Sequence, residues 1–206
     1  IVLYSQIADG GGHTMKADKM PLDFDLQEDI QHGSVEFPLQ YYVDELHMFD
    51  NNSTPLHWHN ALEFVVVHHG TSEVQVVNTS HTICKGDGVF LNMNVLHGLR
   101  QSAVTGRCDC PNIVFSDEFI APIESASSEK YVKPIVLSKN ISHVILKKET
   151  LWQKDILGRL DMIFSLLQKY GPVGAYGAFP FLGFENVTVE SGCYEMQVQA
   201  ELLMIW

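Results

Sequence analysis

From Pro38 to Ile145 the chain reads as short β-rich runs broken by turn residues. The runs are Tyr41–Val43, Ala61–His68, Ser72–Val77, His81–Cys84, Val89–Leu91, Ile113–Phe115, Ile135–Leu137 and His143–Leu146. Asn51-Asn52-Ser53, His69-Gly70, Asn78-Thr79-Ser80, Gly86-Asp87-Gly88 and Thr105-Gly106 punctuate them. Many short strands at regular spacing predict a β-sandwich or barrel. After Lys148 the period lengthens. Ile156, Leu160, Ile163, Leu167 and Tyr170 recur at intervals of 4, 3, 4 and 3, one apolar seam of a helix that Trp152 extends upstream. Lys169 suits the last turn of that helix, and Gly171-Pro172 stops it. Tyr194, Val198 and Leu202 repeat at four-residue spacing in a final helix with no stop signal, which predicts a fragment of a longer protein. The stretch 174–190, with Tyr176, Phe179, Phe181 and Phe184, is expected to be a loop packed on the body.

These textures divide the chain into an N-terminal arm (1–35), a β-barrel domain (36–147) and a helical segment (148–206). The seam on 152–170 first of all packs the helix on the barrel. It covers about two heptads, short of the three or four of a sustained coiled coil. A short helix pair from 152–170 and 193–206 is nevertheless expected to join two copies of the chain as a homodimer.

Composition narrows the function classes. With 46% hydrophobic residues in 206, the chain has material for a sizeable core, which excludes wholesale disorder. Apolar runs such as Phe64-Val65-Val66-Val67 are far short of the roughly 20 residues that span a bilayer, so no membrane role is expected. Thirteen basic against 25 acidic residues leave a charge of -12, which argues against this segment gripping a phosphate backbone. The start at Ile1 lacks the pattern of a signal peptide, and a cytoplasmic location is expected. Cys84, Cys108, Cys110 and Cys193 read as reduced thiols, since Cys108-Asp109-Cys110 has no second cysteine pair to complete a metal site. No nucleophile elbow with a Ser-His-Asp grouping occurs, and Gly10-Gly11-Gly12 lacks the Lys-Ser/Thr of a phosphate loop.

The sharpest chemical feature is His57-Trp58-His59-Asn60-Ala61-Leu62-Glu63. Alternate side chains of a strand share a face, so His57, His59 and Glu63 point the same way if the strand runs on without a bulge. Trp58 points to the other face, as a core residue. Two imidazoles and a carboxylate are half of a cage for Zn, Ni, Mn or Fe(II), and His97 is the candidate fourth ligand. His47, His68, His69 and His81 lack ligand spacing and read as surface or structural residues.

His57-x-His59-x(3)-Glu63-x(6)-Gly70 matches the first cupin motif in spacing, and Gly86-x(10)-His97 matches the frame of the second. The resemblance implies a double-stranded β-helix, a mostly-β jelly-roll barrel, with these four side chains converging inside. Asn51 stands where the first motif has its leading glycine; Asn92 and Asn94 replace the second motif's proline and glycine, and Gln101 its asparagine. Phe37-Pro38-Leu39-Gln40-Tyr41-Tyr42, the Pro55–Glu63 entry strand, Gly86–His97 and the Trp152-Gln153-Lys154 helix start are similar to the ligand-sensing domain of AraC-type transcription regulators. That family's plan implies two helices after the barrel and then DNA-binding helix-turn-helix units.

Three uses are open to the His57, His59, Glu63, His97 set: a catalytic metal site, a metal or ligand site in a sensor, or a hydrogen-bonded polar cluster. The sensor is the reading adopted, with no catalytic residue. A small effector, a sugar or another polar metabolite, is expected near His57, His59, Glu63 and His97. Phe90 and Asn92, with Asn94 and Tyr42, are expected at the barrel mouth. A divalent metal is the candidate cofactor, and DNA is contacted only through a C-terminal domain outside this segment. The rival is a metal-dependent cupin enzyme, a dioxygenase or sugar isomerase, in which the same four residues hold the ion.

Overall fold

The computed structural model describes residues 20, 22–28, 30–102, 106–171 and 193–206. Eight strands form two antiparallel sheets: β1 Leu39–Glu45, β2 Leu62–Val66, β3 Thr71–Val76, β4 Thr79–Cys84, β5 Gly88–Leu91, β6 His97–Gln101, β7 Asp109–Phe115 and β8 His143–Leu146. One sheet has the order β1-β7-β2-β5-β8 and the other β4-β3-β6. A short α1 (Lys133–Val136) precedes β8, and α2 (Leu151–Tyr170) and α3 (Tyr194–Ile205) follow it. The architecture is the β-sandwich with C-terminal helices that the short runs predict, and it is cupin-like, as the motif resemblance implies.

The larger sheet is buried on both faces, which is why its strands read as continuous apolar runs. Leu62, Phe64 and Val66 of β2 pack outward with Phe90, Ile113, Phe115 and the helices. Val65 of the same strand packs inward with Val74, Ile83, Leu91 and Leu99 of the barrel interior. Helix α2 buries Leu157, Leu160, Ile163, Phe164 and Leu167 on the outward face, each worth about 1.5–3 kcal/mol of burial. Trp152 stays exposed, so the buried stripe, Leu157 to Leu167, does not extend upstream to it. Helix α3 inserts Val198 and Leu202 beside it, and Arg159 Nη1 pairs with Glu201 Oε2 at 2.8 Å. The aromatic stretch 174–190 lies outside the described residues.

The strands depart from the predicted runs in three places. Ile135–Leu137 is a helical turn rather than a strand: Pro134 sits in its first turn, where a missing N–H costs nothing. Strand β6 was not expected, because Gly98 and Arg100 interrupt its apolar pattern; pairing with β3 from Ser72↔Gln101 to Val76↔His97 forms it. Strand β7 begins four residues before Ile113. Pro111 falls where the pairing with β2, which ends at Val65↔Asn112, has lapsed, so it removes no bond from that ladder.

The departures at the motif glycines preserve backbone conformation. Asn51 (φ 57) and Asn94 (φ 60) both adopt the left-handed region, which asparagine tolerates best after glycine. Gly70 does need to be glycine. Its φ is +80, and a Cβ there would lie 2.6 Å from the Arg107 carbonyl oxygen. Gly70→Ala is expected to cost about 1–3 kcal/mol of stability, read as a lower urea midpoint at unchanged slope. An unshifted midpoint contradicts the tight turn.

Candidate functional site

The inward face of the larger sheet carries polar side chains at one end of the barrel. His57 lies outside the regular strands, because β2 starts only at Leu62 and residues 60–61 bend. The uninterrupted strand on which the sequence argument depended is therefore not what aligns His57, His59 and Glu63. Instead, His57 and His97 exchange backbone hydrogen bonds of 2.9 and 2.8 Å, which sets their rings 4.3 Å apart. The backbone N–H of Asn94 donates to the His59 carbonyl at 2.9 Å and holds the third ring near the others. Glu63 enters from β2.

Each ring is oriented by a backbone carbonyl. His57 Nδ1 faces Pro55 O at 2.9 Å, His59 Nδ1 faces Ala61 O at 3.1 Å, and His97 Nδ1 faces Val95 O at 2.8 Å. A carbonyl only accepts, so each Nδ1 carries the proton and each neutral ring turns an Nε2 lone pair inward. The three buried rings offer ligand atoms that all lie within 4.8 Å of one another. Glu63 Oε2 sits 3.3 Å from His59 Nε2 and 3.1 Å from His97 Nε2. His97 Nε2 nevertheless makes no aligned hydrogen bond. Lone pairs and a carboxylate facing one another call for a cation or a shared proton. Three imidazoles and a carboxylate suit Zn, Ni, Mn or Fe(II), so the residues fit a divalent ion.

Without an ion the electrostatics are self-consistent. Burial works to raise the Glu63 pKa, yet the facing rings of His59 and His97 hold its carboxyl well below the usual range. Burial opposes charge on His97, but Glu63 outweighs it and the His97 pKa is raised. Burial and the neighbouring His97 drive His57 down to about 3. Glu63 and His97 therefore each favour the charged form of the other.

A second layer surrounds this core. Tyr42, Asp44, Thr54, Leu99, Asn112 and Val114 line the same cavity. Asn112 Nδ2 donates to Asp44 Oδ2 at 2.9 Å. Burial, reinforced by Glu63 and Glu28, pushes the Asp44 pKa up to about 8. The remaining wall comes from the N-terminal segment: Met20, Glu28 and His32. The His32 Nδ1 lies 2.8 Å from the Tyr42 hydroxyl, and the ring centre is 5.4 Å from that of His59. Trp58, on the face away from the histidines, docks that segment. Its indole N–H donates to Asp25 O at 3.0 Å, and its carbonyl accepts from Glu28 N at 2.9 Å. With this wall in place the free volume is about 20 Å³, room for a water or an ion.

Four of the six expected ligand-binding residues thus meet: His57, His59, Glu63 and His97. Tyr42 also lines the cavity. Phe90 does not. It pairs with Phe64 across β2 and β5 and packs on the outward face, with Phe64 at 5.1 Å and Trp206 at 6.4 Å. Asn92 is spent on structure: its Nδ2 donates to Ile135 O and Ile141 O at 2.9 and 2.7 Å, anchoring the segment before β8. Asn94 also stands apart from the cavity lining. Sequence reasoning missed Glu28, His32, Asp44 and Asn112. Asn112 left a signal, a lone amide between the apolar residues 110–111 and 113–115, and Asp44 shares the alternation of Tyr42. The arm residues left none.

Comparison with known proteins shows what the chain resembles. Residues 46–122 match the AraC-like ligand binding domain. An uncharacterized HTH-type transcriptional regulator of Bacillus subtilis, YdeC, is 27% identical over 187 residues, covering 90% of this chain and 56% of that protein. The chain thus spans about half the length of this curated relative. Among solved structures, ToxT from Vibrio cholerae superposes with a TM-score of 0.45 at 15% identity, over 64% of this chain and 46% of that one. Oxalate decarboxylase OxdC of Bacillus subtilis does so with a TM-score of 0.29 at 16% identity, over 31% and 18%. Residues 46–122 of this chain are thus similar to an AraC-like ligand-binding domain, and they lie in a cupin-like β-sandwich.

Proposed function

We propose that this chain is the sensing part, arm, barrel and helical segment, of a longer AraC-type transcription regulator, and that its barrel site is where the effector acts. The observation that carries the reading is the set of three carbonyl-oriented rings turning Nε2 inward around Glu63, inside a domain of the ligand-binding family. When bound, a divalent ion would supply the positive charge that this acceptor-rich centre lacks, held by His57, His59 and His97 with Glu63 beside them. A sugar-sized effector needs about 300 Å³ or more, so it enters only with displacement of the segment carrying Met20, Glu28 and His32. Effector binding and arm position are then linked, and the shift is as large as the difference in affinity between the two arm states.

The rival enzyme reading needs space for substrate and water beside the ion. The match to a ligand-binding domain supports binding rather than turnover. DNA contact belongs to a further domain, in keeping with a charge of -12 on this segment and with the helix-turn-helix description of YdeC. Such a regulator works in the cytoplasm, beside its DNA. A homodimer is supported by apolar side chains that the fold leaves exposed on the helices: Leu151, Trp152 and Met162 on α2, and Met196, Leu203 and Met204 on α3. The seam through Leu160, Ile163 and Leu167 is already used by the barrel, so any partner would meet these other residues.

The test is a thermal-shift titration with divalent cations, sugars and polar metabolites. An effector present at 100 times its Kd is expected to add about 2.7 kcal/mol, and His57→Ala is expected to abolish that gain. A chain that none of these compounds stabilises sinks the sensing proposal, and multiple turnover of a stabilising compound replaces it with the enzyme.

A further inference from the structure

The barrel's open edge carries a second histidine cluster, separate from the central one. Strands β4 and β8 are the terminal strands of their two sheets and share no backbone ladder. Side chains join them instead. His81 on β4 and His143 on β8 place their Nε2 atoms 3.0 Å apart, with ring centres 4.8 Å apart. Lys147 continues the seam, its Nζ donating to Thr82 O at 3.0 Å and to Asp87 Oδ2 at 2.9 Å, which neutralises its charge. Neither histidine lines the central cavity.

We propose that His81 and His143 form a second cation site, a two-imidazole clip for a borderline ion of the Zn2+, Ni2+ or Cu2+ class, that fastens the two sheets together. Two metal–nitrogen bonds of about 2.1 Å at tetrahedral or octahedral angles span roughly 3.0–3.4 Å between nitrogens, the separation found here. The tautomer can be met: Ser142 Oγ lies 3.0 Å from His143 Nδ1 and can accept its proton, which frees the His143 Nε2 lone pair. Both rings are half-buried, so water completes the shell of the ion. Without an ion, one ring donates to the other, and burial, with the His81 ring beside it, lowers the His143 pKa. Displacement of that single shared proton by the ion conserves the contact between sheets. The site is independent of the central one.

Zinc titration of the chain with His57→Ala and His59→Ala isolates the edge pair. One Zn2+ per chain is expected to bind, and adding His143→Ala, or in a separate variant His81→Ala, is expected to weaken it at least about tenfold, a size that even outer partners of a metal reach. Unchanged affinity in both variants overturns the proposal. On the same His57→Ala, His59→Ala chain, which lacks the competing central ligands, substoichiometric Cu2+ is expected to broaden the imidazole NMR signals of His81 and His143. Their staying sharp while copper binds elsewhere overturns it as well, whatever the variants do.

Discussion

Asp44→Asn is expected to stabilise the metal-free protein by about 4 kcal/mol at pH 7. Asp44 is buried, and Glu63 and Glu28 add negative charge around it, so its pKa rises from 3.8 to about 8. The folded protein therefore keeps a proton there that the unfolded chain releases above its own pKa. Between those two values the unfolded state binds fewer protons, and stability falls as pH rises, by up to about 1.4 kcal/mol per pH unit. Below pH 4 the penalty is absent, and through pH 8 it reaches its full size. Asparagine removes the titration and keeps an oxygen for the hydrogen bond from Asn112 Nδ2. Urea denaturation of both proteins in EDTA, from pH 4 to 8, checks it. The difference between wild type and variant should widen with pH, and a constant difference means Asp44 is not held neutral by its surroundings.

His59→Ala is expected to lower the affinity of the central site for Zn2+ by about 100-fold, roughly 2.7 kcal/mol. His59 supplies one of three inward Nε2 atoms and one of the two rings facing Glu63. Losing it leaves two imidazoles and a buried carboxylate with a single partner, an incomplete set for a borderline ion. Glu63→Gln removes charge but leaves all three rings, so a smaller loss is expected, about 10-fold. Competition with a chromophoric chelator measures both, on protein carrying His143→Ala so that the edge pair contributes nothing. Equal zinc affinity in the His59→Ala variant rules out the central cluster as a metal centre.

The donor set was legible because it is local. His57, His59 and Glu63 lie within seven residues, and His97 follows a turn marked by Gly86 and Gly88. Side-chain type and spacing then say enough, even though the supporting strand bends at residues 60–61. The helical seam was legible for the same reason, since a period of 3.6 survives one misplaced member such as Trp152. Phe90 shows where that logic ends. Val89-Phe90-Leu91 is apolar on both faces, so period 2 cannot say which residue points inward. The register Phe64↔Phe90 and Glu63↔Leu91 decides it, and Phe90 goes to the helices. Asn92 fails differently: its polar group looked available for a ligand, but two carbonyls from residues more than 40 positions away claim it.

By itself the sequence determined a mostly-β barrel followed by helices, a metal-competent His57, His59, Glu63 and His97 set, and an acidic segment unsuited to holding DNA. Those properties follow from strand and helix periods, residue chemistry and summed charge, none of which needs distant contacts. Tertiary structure alone decided that Asp44 is buried and its pKa raised, that Glu28 and His32 wall the cavity, and that His81 meets His143 across the sheet edges. Burial, pairing register and encounters between segments far apart in the chain set those properties. They arise only when the chain is closed upon itself.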